Sequence, residues 1–301
     1  MDNFKNKFIV IMEGKVGNSF GCLFYAYKLA KDCGKDFVIN SVKNINREAG
    51  FYDFFSKENN FEHIDYSVTE LNNSLPKEIP FILHKDHYVK SGAVKDRKII
   101  FHKGMNYDQL IETINSYDTV CFLDDTSHAF KNPDAITQSA NDLKINQNIL
   151  NKVNQFCDTN NIDNSVKGIH IRATDWPWKQ ECINDAYTTI QRILDNNPKE
   201  RIFVCCDEEK IENNLICQLP NNILTHRKNS YVKKAEEGGW RKDVSAGDGR
   251  IQNYNTLIDT ESAIEAFIDM LILSRTDIKY RHKHSSFSWF SEIYSKVNLK
   301  P

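Results

Sequence analysis

His170 and Arg172 stand two apart in the stretch Gly168-Ile169-His170-Ile171-Arg172-Ala173-Thr174-Asp175. Alternate residues of a strand share a face, so the imidazole and the guanidinium project together while Ile169 and Ile171 pack the other way. A guanidinium at the end of a buried strand, followed by Thr174 and Asp175, is costly for a packing element unless something anionic lies against it. Arginine suits a phosphate, because its planar fork donates two hydrogen bonds at once. The plain alternative is an ion pair from Arg172 to Asp175 or to a helix carboxylate.

Other groups stand where strands end. Glu13-Gly14-Lys15-Val16-Gly17-Asn18 follows the apolar run Phe8 to Met12 and reads as a strand-to-helix turn. Its glycines could serve geometry alone. Thr119 to Leu123 ends in Asp124-Asp125, and Arg201 to Cys206 ends in Asp207-Glu208-Glu209. A strand-end carboxylate such as Glu13 or Asp124 could take a proton from a hydroxyl, and nothing in the sequence ranks the two. Asp207 could equally cap the helix after it, and Ser285-Ser286 could be an ordinary N-cap. Trp176-Pro177-Trp178 could pack or present a stacking surface. His84-x-x-His87 and His282-x-His284 have metal-like spacing, but neither comes with a matching set of further ligands.

The elements that must hold these groups alternate between strand and helix, the pattern of an α/β fold with parallel sheets. Phe20, Leu23, Phe24, Tyr27 and Ala30 recur at helical spacing, Gly34 closes that helix, and Phe37-Val38-Ile39 forms the next strand. Asn44 to Ser74 is polar and aromatic, with a helix at Phe51 to Phe55. Phe81 to Leu83 and Ile99 to Phe101 are expected strands, and Leu110, Ile111, Ile114 and Tyr117 mark an amphipathic helix. Ile149, Leu150, Val153 and Phe156 open a second domain with a helix ending near Asn160. Strand Val166 to Arg172, helix Ile183 to Leu194, strand Arg201 to Cys206, helix Ile211 to Leu219 and strand Ile223 to Thr225 follow. Lys228 to Asn255, glycine-rich and charged, reads as a mobile surface loop. Ser262-x-x-Glu265 reads as a capping box for the next helix, and a last amphipathic helix closes the chain.

The 301 residues suggest about two domains. Apolar residues make up 40% and charged residues 27%, which is ordinary for a globular chain. A formal charge of -2 does not favour nucleic acid as a partner. No apolar run near the N-terminus is long enough for a signal core or a transmembrane segment. The eight cysteines form no C-x-x-C pair and read as reduced thiols, which implies the cytoplasm. Peripheral membrane association is compatible with this.

Four pieces in order carry a resemblance: Gly14-Lys15-Val16-Gly17-Asn18, His170-Ile171-Arg172-Ala173-Thr174-Asp175, Phe203-Val204-Cys205-Cys206-Asp207, and Leu273-Ser274-Arg275-Thr276-Asp277 with Ser285-Ser286-Phe287-Ser288. Together they resemble the GT-B fucosyltransferase superfamily, which includes α1,2- and α1,6-fucosyltransferases, the nodulation fucosyltransferase and protein O-fucosyltransferases. The resemblance implies two Rossmann-like domains with a cleft between them. Residues 1–145 would form the acceptor-side domain and 146–285 the nucleotide-sugar domain. A C-terminal helix in 286–301 would cross back to the first domain.

The resemblance further implies an inverting transfer of fucose from GDP-fucose to a glycan hydroxyl, in glycan biosynthesis, with no cofactor and no catalytic metal. By it, Arg172 would neutralise the β-phosphate, with His170 beside the donor. Gly14, Lys15, Gly17 and Asn18 match the first donor loop, Lys15 replacing an arginine. Asp175 matches the acidic end of the second motif. Asp207 would lie near guanine or ribose, and Ser285, Ser286 and Phe287 would hold phosphates. The chain departs from the pattern at Ala173, where a second arginine is usual, at Ser19, at Cys206-Asp207-Glu208, and at Arg281-His282-Lys283-His284. These departures motivate two alternatives: another nucleotide-sugar donor, or a non-catalytic protein that binds nucleotide or glycan. The histidine and aspartate pairs motivate a third, a metal-dependent hydrolase.

Overall fold

The computed structural model describes residues 4–12, 16–41, 49–84, 86–123, 127–173, 179–231, 233–234, 241–242, 251–252, 256–257, 259–281 and 285–297. The chain forms two compact units. One comprises Met1–Asn44, Gly50–Lys144 and Lys242–Gln252; the other comprises Ile45–Ala49, Ile145–Arg241 and Asn253–Pro301.

The first unit runs β1 (Lys7–Met12), α1 (Val16–Asp32), β2 (Asp36–Ser41), α2 (Phe51–Phe54), β3 (Glu62–Ile64), α3 (Val68–Ser74), β4 (Phe81–Leu83), α4 (His87–Lys90), β5 (Ile99–Phe101), α5 (Tyr107–Asn115), β6 (Val120–Leu123), α6 (Ser127–Lys131) and α7 (Pro133–Asp142). The strands make one parallel sheet in the order β3-β2-β1-β6-β4-β5. Phe8 to Met12 of β1 are all buried, as expected for a parallel strand covered on both faces. Ile9 and Ile11 join Val38, Phe81, Leu83, Cys121 and Leu123 in one core cluster, which also takes Val68, Leu71 and Leu75 from the region of α3. The apolar stripe of α1 packs Phe20 against Phe54 and Phe55. Gly34 ends that helix at φ 61°, a left-handed geometry that glycine adopts without strain.

The second unit runs α8 (Gln147–Thr159), β7 (Lys167–Ile171), α9 (Lys179–Asn196), β8 (Ile202–Cys206), α10 (Glu209–Gln218), β9 (Ile223–Leu224) and the two-residue strand β10 (Lys233–Lys234); β11 (Arg241–Lys242) and β12 (Ile251–Gln252) bound the Lys242–Gln252 segment counted with the first unit, and β13 (Thr256–Leu257), α11 (Thr260–Leu273), β14 (Asp277–Tyr280) and α12 (Ser286–Tyr294) complete the second. Its parallel sheet has the order β14-β7-β8-β9. Ile169, Ile171, Val204 and Cys206 face α9 and α10 in one cluster. The apolar α11 packs against α8 and α12, with Phe267 against Tyr294.

Three local expectations change. The helix after β1 begins at Val16, so Gly17 and Asn18 lie in its first turn and not in the preceding loop. The cap of α11 is Asp259, whose side chain accepts the Ser262 N–H at 2.7 Å, so the helix starts ahead of the expected Ser262 cap. In Lys228 to Asn255, expected as loop, the described residues include β10, which pairs with β13 just beyond that stretch, and β11, which pairs with β12.

Gly168 on β7 shows how closely the second unit is packed. A Cβ there would fall inside van der Waals contact of Thr276 Oγ1 and 2.8 Å from Leu273 Cδ1. Thr276 cannot easily turn away, because its hydroxyl donates to the Leu273 carbonyl at 2.7 Å in a buried position. Gly168→Ala is therefore expected to destabilise the protein by about 1–3 kcal/mol, read as a lower urea midpoint at unchanged slope.

Candidate functional site

Ligands of open parallel sheets bind outside the carboxyl ends of the strands, where the strand order reverses. In the second unit that point lies between β7 and β14, because the chain leaves β7 toward β8 and β9 on one side and returns as β14 on the other. The sequence puts Arg172 just past the end of β7, Asp207 just past β8, and Ser285 to Ser288 just after β14.

His170 is buried at this edge. Its Nδ1 is 2.5 Å from Ser288 Oγ, and its ring stacks on Phe287 with centroids 4.5 Å apart and planes at 20°. The imidazole is thus fixed in rotation and position by α12. Ser285 is the N-cap of that helix, its Oγ accepting the Ser288 N–H at 3.5 Å. Ser286 and Phe287 occupy the first turn, where backbone N–H groups lack intrahelical partners. Arg281, one of the departures from the family pattern, pairs with Glu292 of α12 at 2.5 Å.

Arg172, two residues after His170 and just past the end of β7, is half-buried. The next residue, Ala173, is fully buried, and its N–H donates to Asp207 Oδ1 at 2.6 Å. Asp207 therefore ties the end of β7 to the end of β8. It does not occupy the N-cap of α10, a place taken by Glu208 without a side-chain cap. Below it, the Cys206 N–H donates to Glu212 Oε1 at 2.8 Å. Glu212 also accepts from Lys228 Nζ and, at 2.6 Å, from the Tyr231 hydroxyl. Lys228 reaches Asp269 at 2.9 Å, and His226 lies between Asp269 at 3.3 Å and Glu265 at 3.5 Å. Burial opposes the charge on Lys228, but Asp269 and Glu212 outweigh it and raise its pKa. These interior residues were missed from the sequence, where Glu212 fell unremarked inside the expected helix Ile211 to Leu219 and Lys228 was the first residue of an expected loop.

In the first unit the strand order reverses between β1 and β6. Glu13 follows β1 and Asp124 follows β6, so both candidate bases belong in sequence to that edge. Glu13, Gly14, Lys15, Asp124, Asp125, Asp175, the Trp176-Pro177-Trp178 run and His282 to His284 lie outside the described residues, as do the side chains of Gly17, Asn18 and His87. Among the described residues no three His, Cys, Asp or Glu side chains form a group that could hold a metal ion. No described helix is long and apolar enough to cross a membrane. All eight cysteines are free, and burial pushes the Cys205 and Cys206 thiols well up. They are small buried hydrophobes and not nucleophiles.

The architecture matches solved structures across nearly its whole length. Fucosyltransferase NodZ from Bradyrhizobium aligns with a TM-score of 0.60 over 96% of this chain and 91% of that one, at 15% identity. POFUT1 in complex with GDP-fucose aligns with a TM-score of 0.53 over 98% and 95%, at 10% identity. The fold is that of the GT-B fucosyltransferases. An Arabidopsis thaliana FUT1 mutant in complex with GDP shares this GT-B fucosyltransferase fold, with a TM-score of 0.55 over 98% of this chain and 71% of that one, at 10% identity. No family model matches the chain, and no curated protein matches it in sequence. In this GT-B fucosyltransferase fold, the second unit brings His170, Arg172, Asp207, Ser285 and Phe287 to adjoining strand and helix ends.

Proposed function

We propose that this chain is an inverting, metal-independent glycosyltransferase that moves fucose from GDP-fucose to a hydroxyl of a glycan or glycoconjugate in the cytoplasm. The observation that carries this reading is the second unit's corner. His170 is clamped by Ser288 and Phe287, and half-buried Arg172 follows two residues later, past the end of β7 where the strand order reverses. Support at the level of fold comes from POFUT1 and NodZ, the former solved with GDP-fucose.

In this reading the acceptor oxygen bonds to C1 of the sugar, and the bond from C1 to the β-phosphate oxygen breaks. GDP leaves with the electron pair, and the acceptor proton passes to a carboxylate. Arg172, the hydroxyls of Ser285 and Ser286 and the first-turn N–H groups of α12 stabilise the charge that grows on the diphosphate. Lys15 and Asn18 complete the donor loop, and Asp207 and Asp175 border the nucleotide. Glu13 and Asp124 both remain candidates for the base, each following a strand beside the reversal in the first sheet. The first unit serves the acceptor and the second the nucleotide sugar.

Ala173 supports a second reading with another nucleotide sugar as donor. The position where the family usually carries a second arginine is fully buried against the β7–α9 core, so this corner has one guanidinium fewer. A panel of GDP, GDP-fucose, other GDP-sugars and UDP-sugars decides between the two. A ligand at a hundredfold its Kd stabilises the native state by about 2.7 kcal/mol, which a thermal melt resolves. GDP and GDP-fucose are expected to raise Tm, UDP-sugars to leave it unchanged, and EDTA to leave transfer unchanged. Tight GDP binding with no response to GDP-fucose would exclude fucose, and GDP-fucose binding without transfer to any acceptor would exclude the enzyme.

A further inference from the structure

The buried charges beneath the corner have a geometry that a packing role does not require. Glu212 arises from the first turn of α10, yet its side chain is only 2% exposed, and Lys228 and Asp269 are 5% and 3% exposed. A buried ion pair is weak evidence for stability as such, since a hydrophobic set of equal volume often does as well. What an apolar set could not supply is the contact Glu212 makes with the main chain. Its Oε1 accepts the Cys206 N–H at 2.8 Å at the very end of β8. The next residue, Asp207, accepts the Ala173 N–H at 2.6 Å, and Ala173 follows Arg172. Glu212 is therefore two hydrogen bonds and one peptide unit from the backbone that carries the guanidinium.

The other side of Glu212 is held equally firmly. Oε1 also takes Lys228, and Oε2 takes the Tyr231 hydroxyl at 2.6 Å, with the Lys228 ammonium 4.8 Å from the Tyr231 ring centroid. One residue before Tyr231, Ser230 donates to Asp259, the cap of α11, at 3.1 Å. The two ends of the segment between β9 and α11 are thus fastened together, and their upstream end is fastened to Glu212.

We infer that Glu212 is a positioning residue for the anion-binding corner, and that Tyr231 and Lys228 lock its carboxylate in place. This rests on the reading of Arg172 as a diphosphate ligand. The preorganised corner keeps the Arg172 backbone in one place before the nucleotide arrives, so that little ordering cost remains at binding. Loosening Glu212 leaves Arg172 chemically intact but less well aimed.

The test uses the full chain, with GDP as probe. Tyr231→Phe removes one hydroxyl and preserves the ring, and Glu212→Gln preserves the shape and an acceptor for the Cys206 N–H. Calorimetry with GDP is expected to show binding weakened on the order of tenfold in each. Hydrogen exchange of the Ala173 amide should quicken by a similar factor, while exchange at Ile169 and Val204 in the strand interiors stays as in the wild type. A merely structural role would lower global stability and quicken all three amides together. Where Glu212→Gln fails to fold, Tyr231→Phe carries the test alone. If GDP affinity and Ala173 exchange are unchanged in a folded variant, the inference is overturned. If wild type does not bind GDP at all, the nucleotide reading fails; Ala173 exchange then still reports whether Glu212 positions the corner.

Discussion

Arg172→Ala is expected to weaken GDP binding by tenfold or more and to reduce transfer by about two orders of magnitude. A hydrogen bond to a charged partner is worth about 1.5–3 kcal/mol net, and a guanidinium can make two to one diphosphate. The loss in turnover exceeds the loss in ground-state binding, because negative charge on the β-phosphate rises as the glycosidic bond breaks. The chain makes this substitution more telling than usual: Ala173 supplies no second guanidinium to share the load. Arg172→Lys keeps the charge and loses the fork, so it should fall between wild type and alanine. Calorimetry with GDP and initial rates with GDP-fucose separate the two effects. Intact affinity and intact turnover in Arg172→Ala would mean that the phosphate lies elsewhere.

The same corner shows what could be read from the sequence and what could not. The apolar runs at Val166 to Arg172 and Arg201 to Cys206 announced β7 and β8, because buried parallel strands carry apolar residues on both faces. The order of the motifs along the chain announced the fold, even though sequence identity to the matching structures is only 10–15%. Ser285 caps α12, one of the two roles its position after β14 offered. Other signals were present but passed over. Ser67 and Glu70 form a capping box for α3 inside the polar, aromatic stretch Asn44 to Ser74, and Pro133 stands at the first position of α7.

Gly168 and Glu212 could not have been read at all. The need for glycine at 168 comes from Thr276 on a distant part of the chain, and the burial of Glu212 comes from Lys228, Tyr231 and Asp269. Local pattern reports periodicity along one element. It is silent on which partner closes over that element, and a glutamate in an acidic run looks solvated until the partner is known.

Lys228→Met is expected to cost the protein about 3–5 kcal/mol, the range for removing one partner from a buried ion pair. The methionine fills much of the lysine's volume, so the cost is electrostatic and not a cavity. It leaves Glu212 and Asp269 facing each other with no ammonium between them, and Glu265 is near on the same helix as Asp269. Lys228 is raised, so its contribution is complete below the ordinary lysine value of 10.5 and is lost only as pH rises through a still higher one. The loss on substitution should therefore be the same across the neutral range. Burial raises Glu212, against the pull of Lys228 and Tyr231, so the folded chain takes up this proton more readily than the unfolded one, and acidification toward 4.5 loses no stability through that residue although it neutralises the carboxylate facing Lys228. Urea unfolding of Lys228→Met beside wild type measures the cost, with an unchanged slope as the check that both unfold from the same compact state. Adding Glu212→Gln to Lys228→Met should restore part of the loss, because it removes a charge left without compensation. A cost below about 1 kcal/mol, the range of exposed pairs, would mean that water reaches this cluster and that the end of β8 is held by something other than charge.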